Sequence, residues 1–60
     1  MAAFMTDVRP LHANARCVAI DVFDVRSGQV VLSDIADAER ADERAVLMLD
    51  WVCVRAGGEA

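Results

Sequence analysis

The chain has no lysine. All six of its basic residues are arginines, set against ten acids, for a net charge of −4. Nucleic acids are gripped chiefly through their phosphates, by many Lys and Arg side chains. An acidic chain with no basic run is therefore not expected to bind nucleic acid directly, and suits a basic protein surface instead. Long apolar runs are missing too. None approaches the roughly 18 residues of a membrane span, since Asp50 interrupts the longest, and no membrane association is expected. The first residues, "MAAFMTDVRPLH", hold neither a basic n-region nor an apolar h-region. That predicts no secretory signal and a cytoplasmic location, in a bacterial host cell.

Reactive side chains are scarce. The single histidine, His12, falls in a predicted loop with no acid near it in sequence, so a nucleophile–base pair is not expected. The hydroxyls are Thr6, Ser27 and Ser33, which suit a strand, a turn and a cap. The two cysteines, Cys17 and Cys53, form no CxxC and fall on different predicted elements. In a reducing compartment they read as two small buried hydrophobes rather than as a disulfide. Two thiols and one distant histidine do not make a metal site. Asp21 and Asp24 lack the alternating oxygen ligands, glycine and terminal glutamate of a calcium loop. "RSGQ" lacks the glycine pattern of a phosphate loop. A chain this short also has little room for the shell of support that holds catalytic geometry. The expectation is a protein that is not an enzyme, with no cofactor and no metal.

What the chain does have is apolar material. It is 60 residues long and 57% hydrophobic. Sixty residues make one domain, 1–60, and such a domain buries only about 60% of its unfolded surface. More apolar surface than a small core can hide favours association.

"CVAIDVFDV" and "QVVLSD" are rich in Val, Ile and Phe and bracket a Ser-Gly, which predicts a hairpin. A two-residue loop would set Asp21 opposite Asp34, an unfavourable like-charge pair. A three-residue loop, Arg26-Ser27-Gly28 with Gly28 left-handed, pairs Asp21 with Ser33, Val22 with Leu32 and Phe23 with Val31, and is preferred. Val18, Ile20, Val22, Val30 and Leu32 then share the core face. Ala19, Asp21, Phe23, Val25 and Val31 share the other. "FMTDVR" predicts a first strand whose following Pro10 places it at an edge. "LHANAR" reads as a turn with Asn14 in a left-handed conformation. Residues 1 to 3 are expected to fray.

From Ile35 the period changes. "ADAERADERAVLMLDWV" is built from strong helix formers, with Ser33, Asp34 or Asp37 as N-cap and Gly57-Gly58 as a stop. At about 100° per residue, Ala38, Ala41, Ala45, Met48, Leu49, Val52 and Ala56 form one stripe, the predicted core face. A rival reading makes the end of "AVLMLDWVCV" a fourth strand, but no Gly, Pro or Asn separates it from the helix. The predicted fold class is α+β: a small antiparallel sheet, a hairpin plus a possible N-terminal edge strand, packed against one C-terminal helix.

Two surfaces are left over. On the helix, Leu47, Trp51 and Val54 project away from the core stripe. Arg44 and Arg55 lie on one flank, Glu39, Glu43 and Asp50 on the other. Trp and Arg are enriched where binding energy concentrates. An acid/base rim of this kind suits an isologous homodimer, so Arg44, Leu47, Asp50, Trp51, Val54 and Arg55 are the candidate dimer or partner interface. The second surface is acidic. Asp21, Asp24, Asp34, Asp37, Glu39, Asp42 and Glu43 are the candidate contacts to a larger protein with a basic surface. In size, acidity and lack of reactive groups the chain resembles the small phage-encoded anti-CRISPR inhibitors, a likeness of general character that rests on no motif. That resemblance implies binding to a bacterial CRISPR effector subunit and blocking of target DNA recognition. The alternative is an antitoxin-like or structural assembly subunit that binds through the hydrophobic helix face.

Overall fold

The computed structural model describes residues 3–58. Three strands, β1 (Phe4–Pro10), β2 (Cys17–Asp24) and β3 (Val30–Asp37), lead through a 3₁₀ turn (Ala38–Arg40) into one helix, α1 (Ala41–Gly58). The sheet is an antiparallel meander in the order β1-β2-β3. The helix lies across one face and touches all three strands. The α+β architecture is the one the sequence predicts, and the first strand is real.

β1 is an edge strand, and Pro10 closes it where a missing N–H costs no ladder bond. Ala3, expected to fray, is held: the Val25 N–H donates to its carbonyl at 2.9 Å. The first two residues of that predicted frayed end lie outside the described residues. The connection to β2 turns on Asn14, though not through a left-handed backbone. Among the described residues only Gly28 has a positive φ. The Asn14 side chain instead accepts the Arg16 N–H at 3.0 Å, and its carbonyl accepts the Cys17 N–H at 3.1 Å. A side-chain oxygen that mimics a backbone acceptor makes the left-handed geometry unnecessary.

In the hairpin, Asp21 pairs with Ser33 and Val22 with Leu32, as the like-charge argument requires. Phe23 does not meet Val31. It pairs with Val30, because a one-residue shift enters the register between Val22 and Phe23. The extra residue sits within β3 rather than in the turn. The loop is correspondingly longer than predicted, four residues from Val25 to Gly28. Its ends are closed by Asp24 N–H to the Gln29 carbonyl at 2.9 Å and Gly28 N–H to the Asp24 carbonyl at 2.7 Å. Gly28 has φ 74°, the left-handed value expected of it. The bulge turns Val30 out of the core, leaving it exposed. Val25 belongs to the loop, not to the outer sheet face.

β3 also runs three residues beyond its predicted end at Asp34. Leu32, Asp34 and Ala36 are half-buried and alternate with exposed Ser33, Ile35 and Asp37, a strand period. Asp37 is the residue that caps the 3₁₀ turn, with extended backbone and no side-chain capping bond. Ser33 and Asp34 lie well inside the strand and cap nothing.

The helix is continuous from Ala41 through both terminal glycines, which excludes the fourth-strand alternative. Its buried residues are Ala41, Ala45, Met48 and Val52, and the last three close on Ile20 and Val22 of β2. Phe4, Val18, Leu32, Ala36 and Leu49 pack around this core. Ala38 and Ala56, predicted on the same stripe, are exposed. Ala38 belongs to the tighter 3₁₀ turn, and Ala56 lies a turn past the last buried residue. Both cysteines are free. Cys17 is half-buried at the start of β2, and Cys53 is exposed on the helix, so neither is the buried hydrophobe predicted.

Candidate functional site

The seven acids singled out in the sequence divide into two groups. Three are engaged within the fold. Asp21 stands opposite Asp7 of β1 in the register, a like-charge pair. Arg9 bridges them, at 2.6 Å to Asp21 and 3.6 Å to Asp7. Asp21 also accepts the Ser33 hydroxyl at 2.7 Å. With its side chain only 15% exposed, it is the centre of a polar network on the sheet face away from the helix. Asp24 organises the hairpin loop: its carboxylate accepts the Arg26 N–H at 2.8 Å and the Ser27 N–H at 3.4 Å. Asp34 points to the helix side of β3. There the Arg44 guanidinium reaches it through two nitrogens, at 2.7 and 3.1 Å. That bond, with the Ile35 N–H at 2.8 Å, holds the Asp34 carboxyl below the ordinary aspartate range.

The other four, Asp37, Glu39, Asp42 and Glu43, follow one another through the end of β3, the 3₁₀ turn and the first turn of α1. All are exposed, and none is in an ion pair among the described residues. Sequence position brings them together because the chain reverses from strand to helix within this stretch. Arg40 stands among them and leaves the stretch net negative.

The helix residues separate in the same way. Arg44 is tied to Asp34 and fastens the helix to the β3 edge. Leu47, Trp51 and Val54 are 60%, 51% and 62% exposed on the outer side of α1. Together with Asp50 and Arg55 they line a shallow groove. The Arg55 guanidinium lies 4.3 Å from the Trp51 ring centroid, a cation–π contact. A second groove lies between the β3 edge and the helix, lined by Ile35, Ala36, Asp37, Arg40, Glu43, Arg44 and Leu47 among others. The outer sheet face adds exposed Met5, Val31 and Ile35.

Two functional features escaped the sequence. Val46 is exposed beside Leu47 and widens the apolar side of the helix; its position on the wheel, away from the core stripe, is the signal that would have found it. Arg9 was not singled out, because its use depends on the β1–β2 register. Of the candidate reactive groups, His12 is exposed, the Ser27 hydroxyl accepts the Gln29 N–H at 3.1 Å, and Ser33 donates to Asp21. Among the described residues no three His, Cys, Asp or Glu side chains form a group that could hold a metal ion, and no helix is long and apolar enough to cross a membrane. Comparison with family models, with curated proteins and with solved structures finds no match.

Proposed function

We propose that the protein is a small non-enzymatic binding protein that inhibits or regulates a larger protein by occupying a basic surface, one that otherwise holds nucleic acid. The observation that carries this is the run of exposed, uncompensated carboxylates Asp37, Glu39, Asp42 and Glu43 at the junction of β3 and α1. Arginines and lysines that hold phosphates form the same charge-assisted hydrogen bonds with carboxylates. Asp21, Asp24 and Asp34 have internal partners, so the proposed contact narrows from seven acids to four. The likeness in character to phage-encoded anti-CRISPR inhibitors makes the partner a bacterial CRISPR effector subunit, and the place of action the host cytoplasm. A second reading, an antitoxin-like or structural assembly subunit, is favoured by the exposed Leu47, Trp51 and Val54.

The test uses the tagged full chain as bait in a bacterial lysate containing a CRISPR effector, beside the variant D37N/E39Q/D42N/E43Q. The expected result is a basic nucleic-acid-binding protein retained at low salt and released at high salt, because exposed charges are screened beyond about 8 Å at physiological ionic strength. The variant fails to retain it, and the purified chain displaces nucleic acid from it. Retention indifferent to salt and to the four neutralisations excludes this function. If Trp51→Ala then releases the partner, the assembly role replaces it.

A further inference from the structure

We infer that the outer line of α1 seats a second copy of this chain, with the two helices side by side and parallel about a two-fold axis. The inference is independent of the acidic end, so either can fail alone.

Leu47, Trp51 and Val54 are spaced four and three residues apart, with Arg44, tied to Asp34, outside the line. That is the alternation of a and d positions along a two-stranded helical seam. This line lies round the helix from the buried stripe of Ala41, Ala45, Met48 and Val52, with its Leu47 end beside the β3 edge. Leu47, Trp51 and Val54 are all more than half exposed there. A small chain in which, among the described residues, only Ile20 and Val22 are completely buried gains most from covering such a line.

The charges choose both the occupant and its direction. Asp50 borders the seam on one side and Arg55 on the other, and both line the groove that Leu47, Trp51 and Val54 form. A two-fold axis that leaves the helices parallel brings opposite flanks together. Asp50 of one copy then faces Arg55 of the other, five residues further along, the offset at which g and e positions of paired helices meet. An antiparallel pair brings like flanks together instead, the side of Arg55 onto the same side of its partner and the side of Glu43 and Asp50 onto theirs. Asp50 has no ion-pair partner among the described residues, and Arg55 is held at the edge of the seam by its stacking on Trp51. The Asp50–Arg55 pairing forms in the parallel arrangement alone. Parallel pairing also sets the two acidic ends side by side.

The test is sedimentation equilibrium of the full chain. The wild type is expected to be dimeric and Leu47→Asp monomeric, with unchanged far-UV circular dichroism. Asp50→Arg and Arg55→Asp each weaken the dimer about tenfold, as an attraction on each side of the axis becomes a repulsion. The double variant D50R/R55D restores it, an outcome that damage to the fold does not produce. In a background with Cys17 and Cys53 replaced by serine, Val54→Cys crosslinks to its own counterpart on oxidation, as a parallel seam requires. A monomeric wild type, a double variant no tighter than the single ones, or a Leu47→Cys/Val54→Cys chain that crosslinks only between positions 47 and 54 of different copies overturns the inference.

Discussion

Gly28 sits at φ 74° in the loop between β2 and β3, and no heavy atom lies within 4 Å of where a Cβ would stand. Replacing it with alanine meets no clash, only the backbone penalty of the left-handed region. Gly28→Ala is expected to lower stability by about 1 kcal/mol, read from urea melts. A loss several times larger would mean that the hairpin register had moved. Asp34 gives a second prediction at this scale. Its carboxyl is held low first by the hydrogen bond from Arg44 and then by the Ile35 N–H. A group whose folded pKa lies below its unfolded value stabilises the fold above the ordinary carboxylate range. That contribution is lost as the pH falls through the lowered value. NMR titration is therefore expected to find Asp34 protonating at lower pH than an ordinary aspartate. Arg44→Gln should move it back up; an unmoved midpoint would leave the Ile35 N–H as the main cause. The sequence singled out both residues but not their pairing. They are ten residues apart, across a change from strand to helix, and neither period predicts which turn of α1 passes over which position of β3.

At the scale of the elements, the hairpin and the helix were legible because each has a clean period. The boundary between them was not. Ala36 and Ala38 are good helix formers and Asp34 looks like a cap, so local propensity favours an early helix start. Pairing with β2 outweighs it: Ile35 stands opposite Ala19, Ala36 opposite Val18 and Asp37 opposite Cys17. Tertiary pairing overriding propensity is the usual reason a boundary is misread. The displaced bulge has a related cause, since a loop closed by Asp24 with its own carboxylate is as acceptable locally as the shorter turn. The β1–β2 register was out of reach for a different reason. It places Asp7 opposite Asp21, which only Arg9 makes tolerable. Arg9→Ala is expected to cost about 1 kcal/mol by removing the bridge and leaving two facing carboxylates. Adding Asp7→Asn should recover part of that loss in a double-mutant cycle, and additive effects would show that the two carboxylates do not sense each other.

For the whole molecule, the decisive quantity is how little is sealed from water. Among the described residues, Ile20 and Val22 are those with 0% exposure, both on the central strand. The rest of the core is one helix stripe, half of it alanine. Stability then depends steeply on that centre. Ile20→Val is expected to cost about 1 kcal/mol, and Ile20→Ala about 2–5 kcal/mol. The second loss is a large part of the stability of so small a domain, and its circular dichroism is expected to show a substantial unfolded fraction. A variant as stable as the wild type would mean that the helix settles into the space left. The same economy is why the candidate surfaces were partly legible from composition: apolar side chains in excess of a small core have to face outward somewhere. Composition could not say which acids the fold would use itself.

The strands lie side by side in the order in which they are synthesised, and the helix comes last. Every partnership in the sheet joins neighbours along the chain, so little loop entropy opposes its formation. A polypeptide wired this way still has one long closure to make, since the helix packs on β1 as well as on β2 and β3. It can complete its sheet as a unit, with the last segment closing over it.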